Sequence, residues 1–297
     1  METAASINRK VTPQDFLLKK QKGVPLTMLT AYDYPTALAV DRAGIDSILV
    51  GDSLGMVVLG YDTTLPVTMD EMIHHAKAAA RGAKRALLIG DLPFLSYQTS
   101  VEEALRNAGR FIKEAQMDAI KLEGGQEQIS KIKAILDAGI PVVGHLGLTP
   151  QSVRKFGGWK TQGKTAQAAL KILRDAEALE EAGCFALVLE SIPSRLAALI
   201  SRKLRIPTIG IGAGNACDGQ VLVTHDMLGL FDRFTPKFVR RYANLYGEIE
   251  KALQVYKKEV QERSFPQEQH SFAMPDEEWK KFNANSQNHR RIKSLAR

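Results

Sequence analysis

Five times in this chain an apolar run ends on a charged or titratable side chain. Ile48 to Val50 runs into Gly51-Asp52-Ser53, Ala86 to Ile89 into Gly90-Asp91, Ala119-Ile120 into Lys121-Leu122-Glu123, Pro141 to Val143 into Gly144-His145, and Phe185 to Leu189 into Glu190. Strands of a parallel sheet covered on both faces read as short, nearly continuous apolar runs. Polar groups placed at their C-terminal ends then gather on one side of the sheet. A chain that repeats this device so often has few folds open to it.

The segments between the runs carry helix signals. Thr68 with Glu71 three residues on is a capping box, and its helix stops near Gly82. Ser100 and Glu103 repeat the device before Ala104 to Ala115. Tyr34 to Ala43 is closed by Gly44, Lys131 to Ala138 by Gly139, and Thr165 to Ala182 by Gly183, while Arg195 to Leu204 forms a further helix. Three more strands are expected at Thr27 to Ala31, Pro207 to Ile211 and Gln220 to Val223. Eight strands alternating with helices, at about 30 residues per unit, predict a closed (β/α)8 TIM barrel rather than an open doubly wound sheet. Pro13 to Lys20 is amphipathic and suited to cap the bottom of the barrel. A last helix is expected from Pro236 to about Val260. The expected organisation is one barrel domain over residues 1–263 and a polar C-terminal extension over 264–297.

At 297 residues, with 44% hydrophobic and 25% charged residues, the chain has the composition of a soluble globular protein. The net charge of +7 is spread along the chain. Its one basic cluster, Arg290, Arg291, Lys293 and Arg297, has no interleaved aromatics and reads as a solvated tail, so no nucleic-acid partner is expected. Cys184 and Cys217 lack metal-type spacing, and so few cysteines fit a reducing compartment without disulfides. With no apolar signal core and no run of about 20 apolar residues, a cytoplasmic protein without membrane contact is expected.

Asp52, Asp91 and Glu123 end neighbouring strands, so their carboxylates can approach one another. Like charges at close range need a cation among them, and an oxygen-rich set of acids suits Mg²⁺. Each acid taken singly could equally be a cap or a salt bridge. Lys121 shares the inward face of its strand with Glu123, where it could pair with that acid or grip a substrate carboxylate. His145 could ligate zinc but has no second histidine at ligand spacing. Glu190, away from the trio, is the candidate for proton transfer, against the alternative of a buried ion pair. Gly158, Gly163, Lys164 and Thr165 satisfy the phosphate-loop spacing, but no buried strand precedes them, so no nucleotide hydrolase is expected. Gly210, Gly212 and Gly214 miss the dinucleotide spacing and read as places where backbone approaches a ligand closely.

Seven ordered motifs carry a resemblance. They are Thr30 to Tyr34, Val50 to Met56, Thr64 to Thr68, Asp91 to Phe94, Lys121 to Gly125, Gly144 to Pro150 and Gly210 to Asn215, within about residues 10–272. In these the chain resembles the ketopantoate (3-methyl-2-oxobutanoate) hydroxymethyltransferase family. The resemblance implies a barrel of the phosphoenolpyruvate/pyruvate-binding type, assembled as a homodecamer. It further implies transfer of a hydroxymethyl group from 5,10-methylenetetrahydrofolate to 3-methyl-2-oxobutanoate with Mg²⁺, giving 2-dehydropantoate for pantothenate synthesis. By position it assigns Asp52, Asp91 and Glu123 to the metal, Asp52, Ser53, Asp91 and Lys121 to the oxoacid, and Glu190 to proton acceptance. The alternative is a metal-dependent carbon–carbon lyase acting on a 2-oxoacid in the isocitrate lyase/phosphoenolpyruvate mutase superfamily. Such a lyase would carry a catalytic cysteine in a Lys-Lys-Cys-Gly-His-like loop, and neither cysteine here sits in one.

Overall fold

A computed structural model describes residues 9–295, with side chains through Ser286. The strands are β1 Leu26–Thr30, β2 Ser47–Val50, β3 Leu87–Asp91, β4 Ala119–Glu123, β5 Val142–Gly147, β6 Ala186–Glu190, β7 Thr208–Ile211 and β8 Gly219–Leu222. The helices are α1 Pro13–Gln21, α2 Tyr34–Arg42, α3 Leu54–Val57, α4 Met69–Gly82, α5 Val101–Ala115, α6 Ile129–Asp137, α7 Ala166–Ala182, α8 Ser194–Lys203, α9 Thr224–Met227, α10 Leu245–Gln261 and α11 Asp276–Leu295. All eight strands pair in sequence order, each parallel to its neighbours, and β8 closes on β1. This is the expected (β/α)8 barrel.

The caps work as read. Thr68, Ser100 and Thr165 accept the N–H groups of Glu71, Glu103 and Ala168, and Gly183 ends α7 with a φ of 106°. One apolar cluster fills the barrel interior with residues such as Met28, Leu49, Ile89, Ala119, Val143, Val188 and Ile209. A larger one packs the helices onto the outer strand faces. Strand alternation carries the interior rows upward into chemistry: Ala119 is followed two residues on by Lys121 and then Glu123, Ile89 by Asp91, Val143 by His145, and Val188 by Glu190. Pairing register sets Asp91 beside Lys121 and Glu123 beside His145.

The opposite end of the barrel is closed by α1. Phe16 is buried edge-on to Phe185 with ring centroids 5.6 Å apart. Lys19 pairs with Asp46 at 2.6 Å and Lys20 with Asp218 at 2.8 Å. Asp46 also accepts from Thr27, and Asp218 from Thr208, so the acids at this end are satisfied internally.

Two expectations are corrected. The helix predicted from Pro236 starts only at Leu245, because the preceding segment folds back: Tyr242 donates its N–H to the Met227 carbonyl at 2.7 Å, and the Arg241 guanidinium reaches the Phe231 carbonyl. Long-range bonds override local helix propensity there. Gly212 and Gly214 admit the chain's own side chains, since an added Cβ would strike Phe238 at 2.8 Å and Ser194 at 2.6 Å. The chain divides into compact units after Asn244. The second unit holds α10, none of whose residues is buried, and α11. The basic side chains at 290–297 lie outside the described ones. No helix among the described residues is long and apolar enough to cross a membrane. The segment holding Gly158 and Gly163 is irregular and follows a short 3-10 turn at Pro150–Ser152, not a strand, and Thr165 serves as the N-cap of α7.

One contact joins the frame to the chemistry. Gly147, at the end of β5, has a φ of 100°, and a Cβ there would lie 2.1 Å from the Glu190 carbonyl oxygen. Gly147→Ala should therefore destabilise the protein by about 1–3 kcal/mol, read as a lowered urea midpoint. An unchanged midpoint would show that β5 and β6 do not meet this closely.

Candidate active site

A cavity of about 670 Å³ opens at the C-terminal ends of the strands. Asp52, Ser53, Asp91, Lys121, Glu123 and Glu190 all line it, together with His145. Sequence reasoning thus placed its site residues in one cavity.

Lys121 pairs with Asp91, its neighbour in register, and not with Glu123: Nζ lies 2.7 Å from Asp91 Oδ1. The other Asp91 oxygen accepts the backbone N–H of Asp52 at 3.1 Å. Burial alone would lower the Lys121 pKa, but the charges of Asp91, Glu123 and Asp52 hold it charged, above its usual value. The acids respond in the opposite sense. Burial, then the charges of Asp91 and Glu123, push Asp52 well above the usual carboxylate range, and burial takes Glu123 up to about 8.

His145 stands between the two halves of the site. Lys121 Nζ lies 3.2 Å from His145 Nδ1, and an ammonium can only donate, so Nδ1 accepts and the imidazole proton resides on Nε2. That nitrogen lies 3.2 Å from Glu190 Oε2, off the axis of a good hydrogen bond. Burial, reinforced by the Lys121 charge, lowers the His145 pKa and keeps the ring neutral. Burial raises the Glu190 pKa, with His145 partly opposing it. Glu123 Oε1 sits 3.5 Å from His145 Nδ1, acceptor facing acceptor, and has no hydrogen-bond partner among the described residues.

Two buried neutral residues brace these acids. Gln151 Nε2 donates to Asp52 Oδ2 at 3.0 Å and to the Leu92 carbonyl at 2.9 Å, while its backbone N–H donates to Glu123 Oε2 at 3.0 Å. The Tyr97 hydroxyl donates to Gln151 Oε1 at 2.9 Å and accepts the Glu123 N–H at 3.1 Å. On the far side, Ser53 Oγ is held 2.9 Å from the Tyr32 hydroxyl. One oxygen of Asp52 and one of Glu123 are thereby fixed. Gln151, on the short 3-10 turn, and Tyr97, on a loop, carried no sequence signal. His145 carried one, since it follows the apolar run of its strand as the acids do.

These features test whether a metal fits. Three buried carboxyl groups face one ammonium, and the buried Glu123 Oε1 lacks a partner; this is a hard-oxygen, cation-seeking environment. No three carboxyl, imidazole or thiol groups among the described residues converge closely enough to enclose an ion by themselves. The set suits Mg²⁺, which commonly takes one or two carboxylates and completes its shell with water and substrate oxygens.

A closed parallel barrel whose strand ends hold acids, a lysine and a neutral histidine in one cavity defines a barrel enzyme with an acid–base site. The chain belongs to the ketopantoate hydroxymethyltransferase family, whose model matches residues 10–268. It is 59% identical over 275 residues to the 3-methyl-2-oxobutanoate hydroxymethyltransferase of Syntrophobacter fumaroxidans, covering 93% of this chain and 97% of the relative. The Moorella thermoacetica protein of that name is 60% identical over 263 residues, covering 89% and 98%. Among solved structures, a phosphonopyruvate hydrolase in complex with oxalate and Mg++ superposes with a TM-score of 0.59 at 13% identity, over 96% of this chain and 98% of that one. At that identity the likeness concerns the fold.

Gln151→Ala should leave Asp52 Oδ2 without its buried donor and take one acceptor from the Tyr97 hydroxyl, at about 1–3 kcal/mol of stability. Urea unfolding checks this. Wild-type stability in the variant would contradict the bracing role.

Proposed function

We propose that this cavity transfers a hydroxymethyl group from 5,10-methylenetetrahydrofolate to 3-methyl-2-oxobutanoate, giving 2-dehydropantoate. The carrying observation is the division of the cavity: buried Asp52, Asp91 and Glu123 surround the charged Lys121 on one side, and Glu190, with its raised pKa, lies across the neutral His145. Family membership supports the same reaction.

Asp52, Asp91 and Glu123 would hold Mg²⁺, which when bound stabilises negative charge developing on the ketone oxygen as the C3 proton leaves. Lys121, fixed by Asp91, presents its ammonium to the substrate carboxylate, beside the Ser53 hydroxyl. Glu190 in its ionised form takes the C3 proton. His145, whose Nε2 lies 3.2 Å from the Glu190 carboxylate, is neutral and adds no competing charge. The carbon so activated forms the new C–C bond to the methylene carbon, whose two C–N bonds are lost with their electron pairs to the two folate nitrogens. Water supplies the hydroxyl on that carbon, and the C3 proton and the remaining water proton end on those nitrogens. No cysteine lines the cavity among the described residues, and the lyase alternative has nothing here to support it.

Incubation with both substrates should yield 2-dehydropantoate. Chelation should abolish turnover and Mg²⁺ restore it; turnover that survives thorough chelation would overturn the metal assignment.

The base form of Glu190 is lost as pH falls through its raised pKa. The acid limb of kcat/KM should accordingly lie above the ordinary glutamate value of about 4.3. Glu190→Gln should cost about 10²–10⁴-fold in rate and remove that limb. A pH profile unchanged in the variant would assign the limb to another group.

A further inference from the structure

The chemistry just described uses only the floor of the cavity. A five-carbon oxoacid fills a small part of about 670 Å³. The rest is walled by Trp159, Phe231, Phe234 and Phe238. Trp159 and Phe234 are each 49% exposed, leaving bare aromatic faces at the mouth. Such walls suit a flat ring system.

One buried ionisable group in this lining has no role in the mechanism. Asp226, on α9 just after β8, lines the cavity and is only 9% exposed. Its carboxylate accepts no hydrogen bond from any described residue, whereas the buried acids away from the cavity are satisfied. Asp46, for example, accepts from Thr27 and Lys19, and Asp175 pairs with Lys171. Burial pushes the Asp226 carboxyl up to about 6, with the Arg241 charge opposing. A buried carboxylate facing a cavity without donors is an unmet demand for two N–H groups.

We propose that Asp226 reads the 2-amino and N3–H edge of the reduced pterin carried by the one-carbon donor, with the aromatic wall against the ring faces. The inference rests on the hydroxymethyl-transfer reading above. The 2-amino-4-oxopyrimidine edge offers two parallel N–H donors at the spacing of two carboxylate oxygens, the match that makes guanidinium–carboxylate pairs bidentate. Asp226 lines the same cavity as Ser53, on the side of β8. A pterin gripped there lies beside the oxoacid subsite, not remote from it.

The test is a comparison of two ligands on full-length protein, tetrahydrofolate and its 2-desamino counterpart, with dissociation constants measured by calorimetry for wild type and Asp226→Asn. Wild type should prefer tetrahydrofolate by about tenfold to a hundredfold, the value of hydrogen bonds to a charged group. In Asp226→Asn, whose amide sets a donor against a donor, the preference should collapse towards one. General damage to the fold would weaken both ligands together and leave their ratio intact, so an unchanged ratio in the variant overturns the assignment. The wild-type arm needs no variant: equal binding of the two ligands also overturns it. A wild type that makes 2-dehydropantoate yet binds the two alike loses only the subsite. A wild type that makes no product from oxoacid and methylenetetrahydrofolate loses the transfer reading and the subsite with it.

Discussion

The Lys121–Asp91 pair is the contact on which the site depends. Both side chains are almost inaccessible, at 4% and 2% exposure, so removing either partner leaves a buried charge uncompensated, a change of about 3–5 kcal/mol. The pair does more than neutralise. It holds one ammonium among Asp52, Asp91 and Glu123, aims a donor at His145 Nδ1, and so fixes the imidazole proton on the side of Glu190. Tautomer and net charge at the top of the barrel both follow from where one lysine sits.

The pair in turn follows from strand geometry. Lys121 and Glu123 share the inward face of β4, and register brings Asp91 of β3 alongside Lys121. The remaining charge imbalance is kept in place by neutral groups: Gln151 and Tyr97 tie down one oxygen of Asp52 and one of Glu123 without contributing charge of their own. Acids held this way stay poorly compensated, which favours a cation arriving with an oxoacid.

What the sequence made legible was whatever short-range periodicity determines. The apolar runs ending on Asp91, Glu123 and Glu190, the two-residue spacing of Lys121 and Glu123, and the caps at Thr68, Ser100 and Thr165 are local patterns. Each led to an element of the fold or to a residue that lines the cavity. Gln151 escaped because it acts across 99 residues to Asp52 and 59 to Leu92, and nothing local marks a glutamine for that task. The segment after Pro236 was misread for the same reason, since its bonds to Met227 and Phe231 are tertiary. The C-terminal extension is the converse case. Read as a polar appendage, it contains the helix α11, whose first turn gathers Asp276, Glu277 and Glu278 and where Lys281 pairs with Glu278 at 2.7 Å.

The central claim is that these residues acidify C3 of the oxoacid before a carbon acceptor is needed. Its most direct test is hydrogen exchange in deuterated water, followed by NMR of 3-methyl-2-oxobutanoate with enzyme and Mg²⁺ and no folate. The account predicts deuterium at C3, lost in Asp91→Asn, which strips Lys121 of its partner and the metal site of a carboxylate. An enzyme that forms 2-dehydropantoate yet leaves C3 unexchanged, with or without a bound folate analogue, would contradict it.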